Sequence, residues 1–90
     1  MTHSVKRKYY QDPGHGWLAV KVHELVELGI DKHVSRCSYV RGKTAYLEED
    51  CDATLYINAL KERGVAVEVI SRHTNSSSPI RGYDYYSAGS

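Results

Sequence analysis

Three short stretches of this 90-residue chain contain aromatic or cationic side chains that would lie on one side of a strand. They are Trp17, Lys21, Tyr39, Arg41 and Tyr46, in the segments WLAVK, SYVRG and TAYLE. Rings beside cations can stack on nucleobases or anchor a protein interface. We favour burial or protein contact over base stacking, because aromatic residues are contact residues in most settings. These five residues are therefore predicted to bind a partner, and the plainer alternative is packing under the tail or in a dimer.

Four carboxylates follow the last of these stretches, in the segment EEDCD: Glu48, Glu49, Asp50 and Asp52. The segment lacks the alternating acidic spacing and central glycine of a calcium-binding loop, so no metal site is predicted. Capping of the following helix by Asp50 or Asp52 explains the cluster better. Exposed carboxylates would also suit a basic partner surface, and they are included in the predicted contact surface.

The C-terminal segment IRGYDYY follows a polar linker and resembles an arm. Its candidate partner-binding residues are Arg81, Tyr83, Tyr85 and Tyr86. Disordered tails are usually poor in aromatic residues, so the tyrosines argue against a purely disordered end. We expect the arm to fold over the open sheet face, to extend a sheet edge or to reach a partner.

Nothing in the chain has the spacing of a catalytic or cofactor site. The five histidines form no HxxxH or HExxH pattern, and no glycine-rich phosphate loop is present. We therefore predict no catalytic residue, no metal, no cofactor and no enzymatic activity. Cys37 and Cys51 show no CxxC spacing and are expected to be reduced, with a Cys37–Cys51 disulfide as the lesser alternative.

Composition limits the class of protein without naming its partner. The net charge of +1 provides no global attraction to nucleic acid or to an anionic membrane, although a local basic patch remains compatible with it. The basic start of the chain has no apolar run, and no segment is long enough to span a membrane. We expect a cytoplasmic protein of a bacterial cell with no membrane partner.

A β-hairpin over residues 34–50 is the element that would position the aromatic residues. Gly42-Lys43 suits a two-residue type II′ turn, which fixes the register of the two strands. Tyr39 then faces Tyr46, and further out Cys37 faces Glu48. The two tyrosines thus share the face opposite the core side.

The whole chain reads as strand, helix, strand, strand, helix, strand. The remaining strands are predicted at 17–21 and 65–70. One helix is predicted at 22–28, and a second opens in the EEDCD segment, with Asp50 or Asp52 as its cap, and runs to about residue 63. This order favours an α+β fold, an antiparallel sheet with two helices on one face in the βαββαβ ferredoxin-like (split βαβ) plan. A smaller open sheet with another strand order is the alternative. We assign 1–12 to an N-terminal arm, 13–72 to the domain, and 73–90 to the linker and C-terminal arm.

The segments GHGWL, LGI, SY, YLEEDCD and IRGY, between Tyr9 and Tyr86, carry a resemblance. Together they resemble a set found in small accessory proteins of bacteria, plasmids and phages. The resemblance supplies no activity, cofactor or catalytic residue. Accessory proteins of this kind include anti-defence proteins such as anti-CRISPR inhibitors, and the resemblance implies that the chain occupies a surface of a host defence complex.

Three functions follow as hypotheses. The first is a non-enzymatic, anti-CRISPR-like inhibitor that acts by protein–protein contact. The second is a single-stranded RNA- or DNA-binding module that uses the aromatic face. Against it, the stretch KTAYLEED lacks the aromatic- and glycine-rich signature of RNA-recognition domains and ends in carboxylates that repel phosphate. The third is a homodimer built on the exposed strand and its rings.

Overall fold

The hairpin predicted around Gly42 is present. In the computed structural model, which describes residues 3–87, the turn joins β3 (Tyr39–Arg41) to β4 (Thr44–Glu48). Gly42 has a φ of 61°, a left-handed conformation that glycine adopts without a Cβ clash. Tyr39 pairs with Tyr46, which confirms the predicted register at this position.

The outer pairs of the predicted hairpin do not form. β3 begins at Tyr39, and Cys37 lies in a turn, so its predicted pairing with Glu48 was wrong. The reason is a side chain: the Ser38 hydroxyl accepts a hydrogen bond from the Glu48 backbone N–H at 3.0 Å. A buried serine thus takes the place of a backbone partner and ends the ladder.

Within residues 3–87, six strands form one mixed sheet. The others are β1 (His3–Gln11), β2 (Gly16–Lys21), β5 (Val65–His73) and β6 (Asp84–Tyr85), in the order β5-β1-β2-β4-β3-β6. β1 runs parallel to β5, and the other neighbours are antiparallel. The ferredoxin-like order is not confirmed, because the sheet has six strands and β1 separates β2 from β5. β2, which holds Trp17, pairs with β4, which holds Tyr46.

Most of the assigned N-terminal arm, residues 3–11, is part of the sheet, and residues 1 and 2 of that arm lie outside the described residues. Val5, Arg7 and Tyr9 are half-buried in β1, while Ser4, Lys6 and Lys8 between and before them are exposed. The three half-buried residues pair in register with Val67, Val69 and Ser71. Successive residues of a strand point to opposite faces, so these three share the face that the helices cover.

Two helices cover one face of the sheet. α1 (Val22–Glu27) and α2 (Ala53–Glu62) contribute Leu25 and Tyr56, each 0% exposed, to a core shared with β2 and β4. The strand residues of that core are Leu18, Val20, Ala45 and Leu47. The opposite face is left to the aromatic and cationic residues.

The C-terminal segment is ordered and returns to the sheet. A short 3₁₀ helix (Pro79–Gly82) leads into β6, which pairs with β3 through Tyr85 and Tyr39. Ile80 and Tyr86 are each 3% exposed, so the segment contributes buried apolar surface. It adds an edge strand, which is one of the three roles predicted for it.

Candidate functional site

A first row of tyrosines crosses the face opposite the helices. The ring centroids of Tyr10 and Tyr46 are 6.1 Å apart, and those of Tyr46 and Tyr83 are 5.1 Å apart. The Arg41 guanidinium lies 5.0 Å from the centre of the Tyr83 ring. Burial, and then the proximity of Tyr83 and Tyr10, raise the pKa of Tyr46. The three rings are half-buried, so each keeps a surface that a partner can reach.

A second row lies beside the first, and its central ring is buried. Trp17 is 1% exposed and contacts Tyr39, with ring centroids 6.3 Å apart. The Arg81 guanidinium covers the Trp17 ring at 5.4 Å. Tyr39 in turn stacks on Tyr85 at 5.4 Å, and Tyr85 is 57% exposed. The expectation that Trp17 contacts a partner is therefore corrected, because the arm and Tyr39 cover it.

Five exposed cations surround the first row. Lys6 and Lys8 lie on the same side of β1 as Tyr10, and Arg72 pairs in register with Tyr10. Lys21 and Arg41 complete the set on β2 and β3. The lysines of β1 were not among the predicted site residues, because their segment resembles a solvated arm. The alternation of Lys6, Lys8 and Tyr10 is the signal that could have shown a shared face.

The acidic cluster does not form an exposed patch. Glu48 is 7% exposed, and its carboxylate lies 3.2 Å from Nδ1 of His15. Glu49 accepts a hydrogen bond from the Tyr9 hydroxyl, which leaves Asp50 as the exposed member. Carboxylate oxygens of Glu48, Glu49 and Asp50 lie within 4.8 Å of one another. Most of the carboxylates that were predicted to contact a basic partner are therefore bonded within the protein.

Asp52 has a different role from the predicted one. It lies at the N-cap position of α2, but its side chain makes no cap hydrogen bond. Its carboxylate accepts hydrogen bonds from the Ser35 backbone N–H at 3.0 Å and from the Ser35 and Ser38 hydroxyls. Asp52 is 3% exposed and fastens the loop before β3 to the start of α2.

Cys37 and Cys51 are brought together by this fastening. Both thiols are free, and both line a cavity of about 360 Å³ together with His15 and Trp17. The Cys37 thiol beside it, then burial and Glu48, raise the pKa of Cys51 to about 12. A raised pKa lowers the fraction of Cys51 that is present as thiolate, which is the reactive form.

Asp12 joins two segments beside the aromatic rows, the turn before β2 and the C-terminal arm. Its carboxylate, 2% exposed, accepts hydrogen bonds from the Gly14 and His15 backbone N–H groups at 2.9 Å. It also accepts from the Ser78 N–H at 3.0 Å and from Arg81 Nε at 2.6 Å. The turn before β2 and the C-terminal arm are thus joined through one side chain.

Acid should release this junction. Arg81, and then the Ser78 N–H, hold the pKa of Asp12 well below its usual range. A carboxyl with a depressed pKa stabilises the fold fully above its unfolded pKa of about 4 and loses that contribution as the pH falls further. We expect the urea concentration at half-unfolding, measured by circular dichroism, to decrease as the pH is lowered below about 4. An Asp12→Asn variant that keeps the same acid dependence would contradict this assignment.

No helix within residues 3–87 is long and apolar enough to cross a membrane. Comparisons with protein-family models, with curated proteins and with solved structures found no match for this chain.

Proposed function

We propose that the protein binds single-stranded nucleic acid on the sheet face opposite its helices. The observation that carries the proposal is the first tyrosine row, Tyr10, Tyr46 and Tyr83, with five exposed cations around it. Aromatic rings stack on bases of any sequence, and a positive groove follows the phosphate backbone. Single-stranded nucleic-acid binding is the second of the three functions that the sequence predicts.

Two features move the balance toward this hypothesis. The lysines of β1 add positive charge to the face, and they lie beside Tyr10. The carboxylates of Glu48 and Asp52, which were expected to repel phosphate, are buried and bonded to other side chains. A net charge of +1 is compatible with this, because what counts for binding is the charge on one face.

Fluorescence anisotropy with a labelled oligouridylate or oligothymidylate of about twelve nucleotides tests the proposal. We expect binding that weakens as salt rises from about 50 to about 200 mM, because bound cations are released from the strand. Tyr46→Ala should weaken binding by roughly 5- to 100-fold, the cost of losing one stacked base. Tyr46→Phe, which keeps the ring, is the matched aromatic control.

The charge control is Lys61→Ala, which removes an exposed cation from α2 on the covered side of the sheet. It should leave affinity nearly unchanged, whereas Arg41→Ala should lower both the affinity and the slope of the salt dependence. Absence of binding to either oligonucleotide at low salt would remove the proposal.

Contact with a protein partner is the second candidate, as an anti-defence inhibitor of the anti-CRISPR type. The observation in its favour is at the β6 edge, where exposed Tyr85 stacks on Tyr39 and the Arg36 guanidinium lies 5.4 Å from the Tyr85 ring. Tyrosine and arginine dominate the energetics of many interfaces. A nuclease-resistant, stoichiometric protein recovered from bacterial lysate and lost in Tyr85→Ala would favour this candidate. A mass that doubles with concentration would identify a homodimer.

A further inference from the structure

The two strands that carry the lysines separate from each other along their length. β1 pairs with β5 through nine residues, but with β2 only through Tyr9–Leu18, Tyr10–Trp17 and Gln11–Gly16. Beyond Tyr9 and Leu18 no β1–β2 pairs form, and a cleft of about 610 Å³ is present there. We call this the β1–β2 cleft, and its walls include Lys6, Lys8, Lys21, Tyr10 and Tyr46.

A side-chain network accounts for the separation. The Lys21 backbone N–H, which continued pairing would direct toward β1, donates instead to Glu24 Oε2 at 2.8 Å. Glu24 Oε1 accepts from Arg7 and from the Tyr56 hydroxyl, the latter at 2.9 Å. Arg7 Nε donates to the same Tyr56 hydroxyl at 3.2 Å. Arg7 and Glu24 line the base of the cleft, and the buried Tyr56 hydroxyl holds them from below.

The net charge of the cleft lining is positive, because Lys6, Arg7, Lys8 and Lys21 outnumber Glu24 and Glu27. Glu24 is neutralised by Arg7, with which it forms an ion pair. Glu27, at the far end, lies 3.4 Å from His23 and is 73% exposed. Lys6, Lys8 and Lys21 are exposed around the opening, where the strands separate. An anion at the opening would therefore meet cations, while carboxylates lie at the base, at one end and beside Lys6, where the exposed Glu68 pairs in register with it.

Apolar ring surface lies next to these cations. Tyr10 and Tyr46 line the cleft, and their ring centroids are 6.1 Å apart. Clefts of about 300–1,000 Å³ accommodate ligands of the size of a nucleotide. A phosphate near the lysines would place an attached base within reach of the tyrosines.

We propose that the β1–β2 cleft binds one nucleotide through its phosphate at Lys8 and Lys21 and its base against Tyr10 and Tyr46. The inference rests on the proposed function, because it names the subsite of the same face at which a strand is held. A free nucleoside monophosphate and one residue of a strand offer the same chemistry. The test therefore includes both sources.

Uridine 5′-monophosphate, uridine and the oligouridylate are titrated into isotopically labelled protein, and amide chemical shifts are followed. We expect shifts of Lys8, Ala19 and Lys21 with the monophosphate and roughly tenfold weaker binding of uridine, which lacks the anion. Lys8→Ala should weaken monophosphate binding by roughly tenfold. Arg72→Ala is the matched control, since Arg72 is an exposed cation of the same face that does not line the cleft.

The outcomes separate the cleft from the face. Arg72→Ala should weaken binding of the oligouridylate and leave binding of the monophosphate unchanged. This result would support nucleotide binding in the cleft. If the oligouridylate binds but the monophosphate does not, or if Lys8→Ala and Arg72→Ala weaken the monophosphate equally, the cleft inference is overturned and the proposed function stands. If the monophosphate binds in the cleft and the oligouridylate binds no more tightly, the cleft inference stands and the proposed function fails.

Discussion

Replacing Tyr86 with alanine should lower the free energy of unfolding by about 3–5 kcal/mol, as expected when a large buried aromatic side chain is removed. Tyr86 is 3% exposed and belongs to the same core as Leu25 and Tyr56. Its backbone N–H also donates to the Ser38 carbonyl at 2.9 Å, which attaches the arm beside β3. The loss would be measured by urea unfolding followed by circular dichroism.

The neighbouring residue provides the control. Tyr85 is 57% exposed and mainly stacks on Tyr39, so Tyr85→Ala should cost no more than about 1 kcal/mol. The two variants differ by one position in the arm and remove the same side chain. Equal losses at the two positions would mean that the arm does not insert Tyr86 into the core.

A second large loss is expected when Glu24 is replaced with alanine. This change removes the acceptor of three groups, namely Arg7, the Tyr56 hydroxyl and the Lys21 N–H. The Arg7 and Glu24 side chains are 26% and 15% exposed, so the cost should be about 2–4 kcal/mol, below that of breaking a fully buried pair. Burial, and then the bond to Glu24, raise the pKa of Tyr56 to about 12, and the variant should lower it.

Glu27→Ala is the control for this change, because Glu27 belongs to the same helix and pairs only with exposed His23. It should change the free energy of unfolding by no more than about 0.5 kcal/mol. Tyrosine absorbance during an alkaline titration provides a second measurement on Glu24→Ala. An unchanged Tyr56 titration together with a loss no greater than that of Glu27→Ala would contradict the network.

Local sequence patterns correctly predict the elements that depend on residues close together in the chain. The turn at Gly42 and the pairing of Tyr39 with Tyr46 follow from residue type and spacing over a few positions. α1 and the end of α2 lie within one residue of their predicted bounds, because the apolar spacing of a helix is local information. The α+β class follows from these elements.

Such patterns do not predict pairings between strands that are far apart in the sequence. β1 contains VKRKYY, whose charge resembles that of a solvated arm, and its partner β5 is distant in sequence. Asp52 illustrates the same limit at the candidate site. Its position predicts a helix cap, but its carboxylate bonds to serines of an earlier loop, which no local spacing indicates. The exposed acidic surface was therefore overestimated, and the basic surface was underestimated.

The parallel pairing of β1 with β5 also sets an order of assembly. His3 pairs with Val65 and Gln11 with His73, so a loop of about sixty residues must close before these contacts form. The β3–β4 hairpin closes over a turn of two residues, and contacts of short separation form much faster than distant ones. During synthesis β1 emerges first, yet it gains its longest partner only after both helices have been made. The basic strand is thus the first part of the sheet to be synthesised, and until β5 follows, it can pair only with β2, through three residues at one end, so that its other edge stays open.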